Sequence, residues 1–319
     1  AEFDLKMMAK AIVLAKKGQY STKPNPAVGC VITQGLDIIS TGWHKQAGQA
    51  HAELDAITNC QASLVGATVY VTLEPCSHIG LTPPCADLLI KTGVARVVIA
   101  MQDPNPLVSG KGVRKLIDAN ISVSMGLLEQ EAKAINTGFI YSMLHKKPFV
   151  RLKIASSLDG RTAMESGESN WITGKESREQ VHIMRAQHGA LITGIGTVLA
   201  DDPSLNVRLS ADKLAEMNLT EENCQPIRVV LDANLSMPVD AKMLSLPGRT
   251  IIVTSKQTAE DSGPVIETLY QAGAEVVAVA ADAEKLDIES VLDYLHNVEK
   301  VREVMVEAGA IVAGAFIQS

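Results

Sequence analysis

The sequence predicts an α/β protein of two domains, because of its length and the order of its hydrophobic segments. At about 150 residues per domain, 319 residues suggest two domains that each bury a core. Short β-rich segments alternate with segments of helical periodicity in both halves, a pattern typical of strand–helix–strand units. The boundary is predicted at H-K-K-P, residues 145–148, which gives domains 1–147 and 148–319.

The first domain is predicted to begin with a helix over residues 4–17, whose apolar side chains recur at helical spacing before Gly18. A hairpin is expected next, with strands 27–33 and 38–43 on either side of Q-G-L-D. The remaining pattern predicts a helix from residue 52 to about 59, strand 67–73, helix 85–92 closed by Gly93, strand 94–101, a helix from about Gly112 and strand 121–125.

The second domain is predicted to continue the alternation of strands and helices. A strand restarts at residue 149, and helical segments lie between most of the later strands, which are expected at 190–193, 227–232, 250–254, 275–279 and 303–306. The sequence contains no internal repeat and no low-complexity run.

Composition narrows the classes of function. A net charge of -7 argues against a broad surface for the nucleic-acid backbone, while small anionic substrates remain open. No run of eighteen or more apolar residues and no signal-peptide pattern is present, so a cytoplasmic protein is expected. Five cysteines in a reducing compartment favour metal binding or catalysis over disulfides.

A candidate zinc site follows from the stretch P-C-S-H-I-G-L-T-P-P-C, residues 75–85, placed after a predicted strand. His51, Cys76 and Cys85 form a ligand set that zinc accepts while keeping a fourth position for water. Pro84 suits the first turn of a helix, and the amides of that turn would stabilise the Cys85 thiolate. The sequence therefore predicts a zinc centre.

Glu53 is the candidate proton shuttle of this centre, because it lies two residues from His51 without being a ligand. H-A-E followed by P-C and a second Cys matches the zinc deaminase signature, except that the usual two-residue gap is eight residues here. The alternatives are a structural zinc ion or buried free cysteines. His78 competes as a ligand but is interpreted as lining the pocket. Cys30, Cys60 and Cys224 are interpreted as structural or incidental.

Several short sequence motifs resemble those of the family of bifunctional riboflavin-biosynthesis deaminase/reductases, called RibD or RibG in bacteria. They are P-N-P-A-V-G-C-V-I, H-A-E, the stretch up to Cys85, M-Q-D-P-N-P, S-L-D-G-R-T-A, G-E-S-N-W-I-T-G, T-G-I-G-T-V-L-A-D-D-P-S-L-N-V-R and V-E-A-G. The resemblance implies a cytidine-deaminase-like three-layer α/β/α domain followed by a dihydrofolate-reductase-like α/β domain. It also implies zinc-dependent deamination of a diaminopyrimidinone that carries a phosphoribosylamino group, then reduction of the ribosyl group by NADPH.

The resemblance also implies roles for individual residues. The deaminase substrate would contact Asn25, His44, His78, Asp103 and Asn105. NADPH would contact Ala155, Trp171, Thr197, Asp201, Gly309, Ala310, Ile311, Val312, Ala313, Gly314 and Ala315. The reductase substrate would face Lys153, Ser169, Arg185, Leu205, Arg208 and Glu307, with the two arginines as forked donors for its phosphate and Lys153 favouring the open-chain sugar.

The glycines of the second domain give a weaker signal without the resemblance. G-I-G after the strand at 190–193 fills part of a dinucleotide motif, with Leu199 at the third glycine position. Gly309 and Gly314 are better placed, since a glycine turn that leads into a helix lets amides approach a pyrophosphate, although a tight turn explains them equally well.

Two departures from the family pattern bear on these expectations. Leu81 stands where relatives often carry Lys or Arg. The family's chain normally continues for several dozen residues after the V-E-A-G helix, with strands that complete the reductase sheet and a subunit contact. These strands are absent from the sequence, so the expectation is either that further residues follow Ser319 or that the reductase is damaged.

The function classes that stay open differ in their partners. A homo-oligomer that acts on a small molecule, without nucleic acid or membrane, is expected. One alternative is a zinc deaminase of a free base, a nucleoside or tRNA with a C-terminal binding module. The other is a non-enzymatic nucleotide-binding protein that zinc stabilises.

Overall fold

The computed structural model describes residues 2–77, 83–106, 108–166, 172–282 and 285–318. The chain divides into two compact units, one of residues 1–146 with 215–219 and one of residues 147–214 with 220–319. None of the helices in the described ranges combines the length and the apolar character needed to cross a membrane.

The first unit contains six helices and five strands in its described part. The helices are α1 (Glu2–Lys16), α2 (Ala52–Thr58), α3 (Cys85–Thr92), α4 (Lys111–Asp118), α5 (Glu129–Ile135) and α6 (Thr137–His145). The strands are β1 (Gly29–Gln34), β2 (Asp37–Trp43), β3 (Thr68–Leu73), β4 (Arg96–Met101) and β5 (Ser122–Met125).

The strands of the first unit form one sheet in the order β2-β1-β3-β4-β5. β1 runs antiparallel to β2 and to β3, whereas β3, β4 and β5 are parallel. Helix α1 and residues of α5 pack on one face, and α2, α3 and α4 contribute buried residues to the other. The result is the expected three-layer α/β/α arrangement, in which the loops after β3 and β4 leave the same edge of the sheet.

The second unit has a longer series of elements. Its helices are α7 (Lys175–Gln187), α8 (Ile195–Asp201), α9 (Ala211–Glu216), α10 (Lys256–Asp261), α11 (Gly263–Gln271), α12 (Ile288–Asn297) and α13 (Ala310–Gln318), with a short 3-10 helix at Lys242–Ser245. Its strands are β6 (Phe149–Leu152), β7 (Ala190–Gly194), β8 (Ile227–Leu231), β9 (Thr250–Ser255), β10 (Ala274–Val279), β11 (Ala281–Asp282), β12 (Lys285–Leu286) and β13 (Glu303–Val306).

Six of these strands form a parallel sheet in the order β10-β9-β8-β7-β13-β6. The last strand along the chain, β13, lies between β7 and β6, which brings the carboxyl ends of β6, β7 and β13 together. Hydrophobic clusters cover both faces of the sheet. Parallel sheets need this double cover because both faces are buried.

Most of the predicted elements are present, with boundary shifts of one or two residues. The helix predicted over residues 85–92 has these bounds, with Pro84 as the residue that precedes its first turn, and Gly93 ends the helix in the left-handed conformation with φ 74°. Helices α5 and α6 and the two-residue pair β11–β12 were not predicted.

Candidate active sites

The three predicted zinc ligands come together at the edge where β3 ends. His51 precedes the first turn of α2 with an extended backbone and makes no side-chain cap of that helix. Cys76 lies in the loop after β3, and Cys85 is the first residue of α3. In the described part of the chain these three residues are the one group of His, Cys, Asp and Glu side chains able to hold a metal ion.

The distances between the ligand atoms fit a zinc ion. Nδ1 of His51 lies 3.6 Å from Sγ of Cys76 and 3.4 Å from Sγ of Cys85. A tetrahedral zinc with bonds of about 2.3 Å to sulfur and about 2.0–2.1 Å to nitrogen places these atoms about 3.6 Å apart. One nitrogen and two sulfurs are also a donor set that zinc favours.

The surroundings of the two sulfur atoms shift their pKa values in opposite directions. The backbone N–H of Cys85 donates a hydrogen bond to Sγ of Cys76 over 3.3 Å. Hydrogen bonding by Cys85 and by His51 lowers the pKa of Cys76 to about 4, whereas the contact with Cys76 and burial raise the pKa of Cys85. Zinc binds cysteine as the thiolate, so binding of the ion favours the deprotonated form of both sulfur atoms.

Glu53 lies in the first turn of α2, and its side chain is buried. Burial, followed by the negative charge of Cys76, raises the pKa of Glu53 to about 7. A carboxyl group with this pKa both takes up and releases protons near neutral pH, which is what a general acid and base requires.

His44 and Asn25 are joined by a hydrogen bond, and the pattern of contacts fixes the tautomer of the histidine. Nδ1 of His44 lies 2.9 Å from the carbonyl oxygen of Ala50, and Nε2 lies 3.2 Å from Nδ2 of Asn25. Because a carbonyl only accepts, Nδ1 carries the proton and Nε2 accepts from Asn25. Burial lowers the pKa of His44 and keeps the ring neutral.

A cavity of about 190 Å³ joins these residues. Its wall includes the predicted residues Asn25, His44, His51, Glu53, Cys76, Asp103 and Asn105. Burial raises the pKa of Asp103 to about 6, and Oδ1 of Asp103 accepts a hydrogen bond from the amide of Asn105 over 2.8 Å. His78 and Leu81 lie outside the described residues.

Sequence reasoning gave no role to several members of this wall, among them Glu74 and Phe139. Glu74 directly precedes the P-C of the zinc motif, but sequence reasoning assigned no role to it. Phe139 is an aromatic residue on α6, and no motif marks it. Two of the cysteines interpreted as structural are buried, Cys30 in β1 and Cys224, while Cys60 is half-buried near the carbonyl oxygen of Ile39.

The second unit has a cavity of about 380 Å³ near the carboxyl ends of β6 and β13. Five of the predicted reductase residues line it, namely Lys153, Ala155, Arg185, Arg208 and Glu307. Nε and Nη2 of Arg185 donate to the carboxylate of Glu307 over 2.6 and 3.0 Å, and Nη1 donates to the carbonyl oxygen of Asn206. Arg185 thus makes a bidentate contact with a carboxylate of the protein itself.

His182 and Arg178 also line this cavity and were not predicted. The amide of Arg208 donates to Nδ1 of His182 over 3.2 Å. Burial and the charges of Arg185 and Arg208 lower the pKa of His182 to about 4, so its ring is neutral at physiological pH. Their spacing along α7, with Arg178, His182 and Arg185 on one side of the helix, was the available signal.

Other predicted residues of the second unit lie outside this cavity. Thr197 and Asp201 are on α8, Gly309 to Ala315 precede and begin α13, and the side chain of Leu205 is buried in a hydrophobic cluster. A Cβ atom at Gly194 would lie 2.7 Å from Val312, so α13 packs against the end of β7, from which α8 starts. Ser169 and Trp171 lie outside the described residues.

Comparisons with known proteins agree with this division of the chain. Residues 148–319 match the family model of the RibD C-terminal domain, and residues 1–101 match that of the cytidine and deoxycytidylate deaminase zinc-binding region. The riboflavin biosynthesis protein RibD of Escherichia coli (strain K12) is 43% identical over 314 residues, which cover 98% of this chain and 83% of the relative.

Two solved structures are similar over almost the whole chain. Acinetobacter baumannii RibD (form 1) has 43% identity and a TM-score of 0.87, with 99% of this chain and 83% of that chain covered. A diaminohydroxyphosphoribosylaminopyrimidine deaminase/5-amino-6-(5-phosphoribosylamino)uracil reductase from Thermotoga maritima has 38% identity and a TM-score of 0.84, with 99% and 84% covered. The chain belongs to the RibD family of bifunctional riboflavin-biosynthesis enzymes, which join a zinc-binding deaminase domain to an NADPH-dependent reductase domain.

Proposed function

We propose that this enzyme deaminates 2,5-diamino-6-(5-phosphoribosylamino)pyrimidin-4(3H)-one with residues 1–147 and then reduces the ribosyl side chain to ribityl with residues 148–319. The Thermotoga maritima relative carries the corresponding deaminase and reductase names. The observation that carries the deaminase step is the spacing of the donor atoms of His51, Cys76 and Cys85 beside the buried Glu53.

In the deamination step, Glu53 is the residue that moves protons. Zinc, when bound by His51, Cys76 and Cys85, supplies the Lewis acidity that lowers the pKa of a water molecule. The carboxylate of Glu53 takes a proton from the attacking water and delivers a proton to the amino group that leaves as ammonia. Its buried position in the first turn of α2 beside His51 holds the carboxyl group in place for both transfers.

Other residues of the first unit bind the pyrimidine. Asn25, His44, His78, Asp103 and Asn105 are assigned to the substrate, with the Asp103 carboxylate as an acceptor for ring amino groups. The tautomer of His44 is set by Ala50 and Asn25. The polar groups therefore have defined donor and acceptor directions before the substrate binds.

In the reduction step, the second cavity positions the sugar phosphate. Lys153, Ser169, Arg185, Leu205, Arg208 and Glu307 are assigned to the substrate. NADPH, when bound, supplies the hydride, and its contacts are assigned to Ala155, Trp171, Thr197, Asp201 and the run from Gly309 to Ala315. Nζ of Lys153 lies 3.6 Å from Oε2 of Glu307, which leaves the ammonium group as a donor that favours the open-chain sugar.

The setting of the enzyme is also part of the proposal. We assign it to the cytoplasm, where its five cysteines stay reduced. The net charge of -7 favours small-molecule substrates over a nucleic-acid partner. A homo-oligomer is implied by the family resemblance, and light scattering on the purified protein measures it.

The substitution Glu53→Gln tests the deamination step. The amide keeps the size of the side chain but cannot take up a proton, so ammonia release should fall about a thousandfold while zinc stays bound. Ammonia release, metal content and the masses of both products are measured with the diaminopyrimidine phosphate and NADPH.

The matched control is the reductase reaction of the same variant. Supplied with the deaminated substrate, Glu53→Gln should oxidise NADPH at the wild-type rate. Ammonia release at more than about a tenth of the wild-type rate would contradict the role of Glu53.

A further inference from the structure

Glu74 is a buried carboxylate that the deamination chemistry does not use. It follows β3, precedes Cys76 by two residues and is 3% exposed. Its two oxygen atoms accept four backbone N–H groups, from Asp103 at 3.3 Å, Gly110 at 3.0 Å, Gly112 at 3.0 Å and Val113 at 3.2 Å. Hydrogen bonds to a charged acceptor are stronger than neutral ones.

The four donors belong to one segment, the loop between β4 and α4 together with the first turn of α4. Gly110 precedes that helix and offers no side-chain cap. The carboxylate of Glu74 therefore takes the place of a cap for helix α4, although Glu74 lies directly after β3 and 38 positions before Gly112.

The start of α4 also packs directly on the segment that carries Cys76. A Cβ atom at Gly112 would lie 2.0 Å from the carbonyl oxygen of Pro75. Only glycine permits this approach, so the backbone of α4 lies next to the backbone that leads to the zinc ligand.

The loop held in this way carries Asp103 and Asn105, which face the same cavity as Glu53 and Cys76. We propose that Glu74 is a positioning residue of the deaminase, which ties the segment of the zinc ligand Cys76 to the loop of the substrate contacts Asp103 and Asn105. This inference rests on the proposed function, because that proposal assigns the two loop residues to the substrate.

Other roles for Glu74 have less support. In the described residues it forms no ion pair with Lys or Arg, and it is not part of the group able to hold a metal ion. Its oxygen atoms point to backbone amides of the loop and the helix. Glu74 therefore acts as a hydrogen-bond acceptor for the backbone N–H groups of this segment.

The substitution Glu74→Gln tests the inference. The side-chain NH2 group would face backbone donors, so the amide cannot accept from all four. We expect the deaminase KM to rise at least about fivefold while kcat changes less than about twofold, because ground-state and transition-state binding are weakened alike. Zinc content, the absorption spectrum of the cobalt(II)-substituted protein and the reductase KM should stay at their wild-type values.

Hydrogen exchange gives a readout that is independent of catalysis. The amides of Asp103, Gly110, Gly112 and Val113 should exchange at least about tenfold faster in Glu74→Gln than in the wild type. Glu131→Gln is the matched control, since Glu131 is an exposed glutamate of α5 in the same unit. This control should change neither the exchange rates nor the KM.

Two results would overturn the inference. One is unchanged exchange and an unchanged KM in Glu74→Gln. The other is loss of zinc together with a fall in kcat, which would place Glu74 in support of the metal. If the variant does not fold, the exchange rates of the four amides in the wild-type protein test the inference. Exchange as fast as that of open loops would contradict their hydrogen bonds to Glu74. A wild type without deaminase activity would refute the proposed function and leave the exchange test intact.

Discussion

Asn136 is a buried residue that acts on the substrate cavity from a distance. Its Oδ1 accepts from the amide of Ala27 over 2.8 Å, and its Nδ2 donates to the carbonyl oxygen of Ala27 over 2.9 Å. Ala27 follows Asn25 and Pro26, both of which line the cavity. A single side chain thus fixes the backbone that presents Asn25.

The substitution Asn136→Asp should separate this role from simple packing. The carboxylate can still accept from the amide of Ala27, but it cannot donate to the carbonyl group, and a buried negative charge is added. We expect the free energy of unfolding to fall by about 2–4 kcal/mol and the deaminase KM to rise. Urea unfolding and ammonia release measure the two effects.

Asn120→Asp is the control for this prediction, because Asn120 is exposed in the same unit. It should change the free energy of unfolding by less than about 0.5 kcal/mol. Equal stability of Asn136→Asp and wild type would mean that the pair of hydrogen bonds to Ala27 is dispensable.

For single residues, the sequence predicts the side chains that take part in the chemistry better than those that hold the backbone around the site. His51, Glu53, Cys76 and Cys85 stand in short motifs whose residue types match zinc chemistry, and the structure brings them together. Glu74 and Asn136 bind backbone groups that lie far along the chain, up to 109 positions for Asn136. Only the complete fold brings such partners together, so no local sequence pattern indicates them.

The position of helix α2 depends on a glycine in the neighbouring strand. A Cβ atom at Gly42 would lie 2.3 Å from the amide nitrogen and 2.9 Å from the Cα atom of Ala56. The strand therefore lets α2 pack directly on its backbone, and α2 carries Glu53 while His51 stands at its start.

The substitution Gly42→Ala should move this helix. We expect a loss of about 2–3 kcal/mol in the free energy of unfolding, and weaker zinc binding because His51 shifts from the two cysteines. Unfolding by urea and a zinc-binding titration give the two numbers. Gly263→Ala is the control, since nothing lies within 4 Å of an added Cβ at Gly263. Normal zinc affinity in Gly42→Ala would show that α2 tolerates the shift.

The carboxylate of Asp4 joins helix α1 to two strands of the sheet. Oδ1 of Asp4 accepts from the hydroxyl of Tyr70 over 2.6 Å, and Arg96 donates to both oxygen atoms over 2.9 and 3.2 Å. The hydrogen bonds of Arg96 and Tyr70 lower the pKa of Asp4 to about 2. The strands β3 and β4 are both tied to α1 in this way.

The lowered pKa gives a pH-dependent contribution to stability. An acid whose pKa falls on folding stabilises the protein above its unfolded pKa, and this stabilisation is lost as the pH falls through the folded pKa. We expect Asp4→Asn to cost about 1 kcal/mol at pH 7, since partial exposure weakens the pair, and about half of that at pH 3. Urea unfolding at several pH values measures the difference.

Asp118→Asn supplies the baseline for this series, because Asp118 is exposed at the end of α4. It should change the free energy of unfolding at pH 7 by less than about 0.5 kcal/mol. An effect of Asp4→Asn that grows as the pH falls would have the wrong sign for a lowered pKa.

Elements were predictable where periodicity and end signals agree, as for α1, α3 and the apolar strands. Helices α5 and α6 were missed because they are short and adjoin at Asn136 without a glycine or proline between them. The order of the strands was not predictable, since the placement of β13 between β7 and β6 depends on contacts between distant segments.

The whole molecule contains two units that each possess their own sheet and hydrophobic clusters. The group able to hold zinc lies in the first unit, and the cavity with Arg185 and Glu307 lies in the second. In the described ranges the second unit contributes no residue to the metal group. The chemistry of the two steps is therefore separable by removing the metal.

Removal of zinc with a chelator should stop the first reaction and spare the second. Ammonia release from the diaminopyrimidine should fall by at least about a hundredfold, because Glu53 then has no activated water to deprotonate. NADPH oxidation with the deaminated substrate should stay within about twofold of the untreated enzyme, and added zinc should restore ammonia release. Parallel loss of both activities, reversed by zinc, would show that the metal also stabilises the second unit, since a ligand that binds only the folded state adds to its stability.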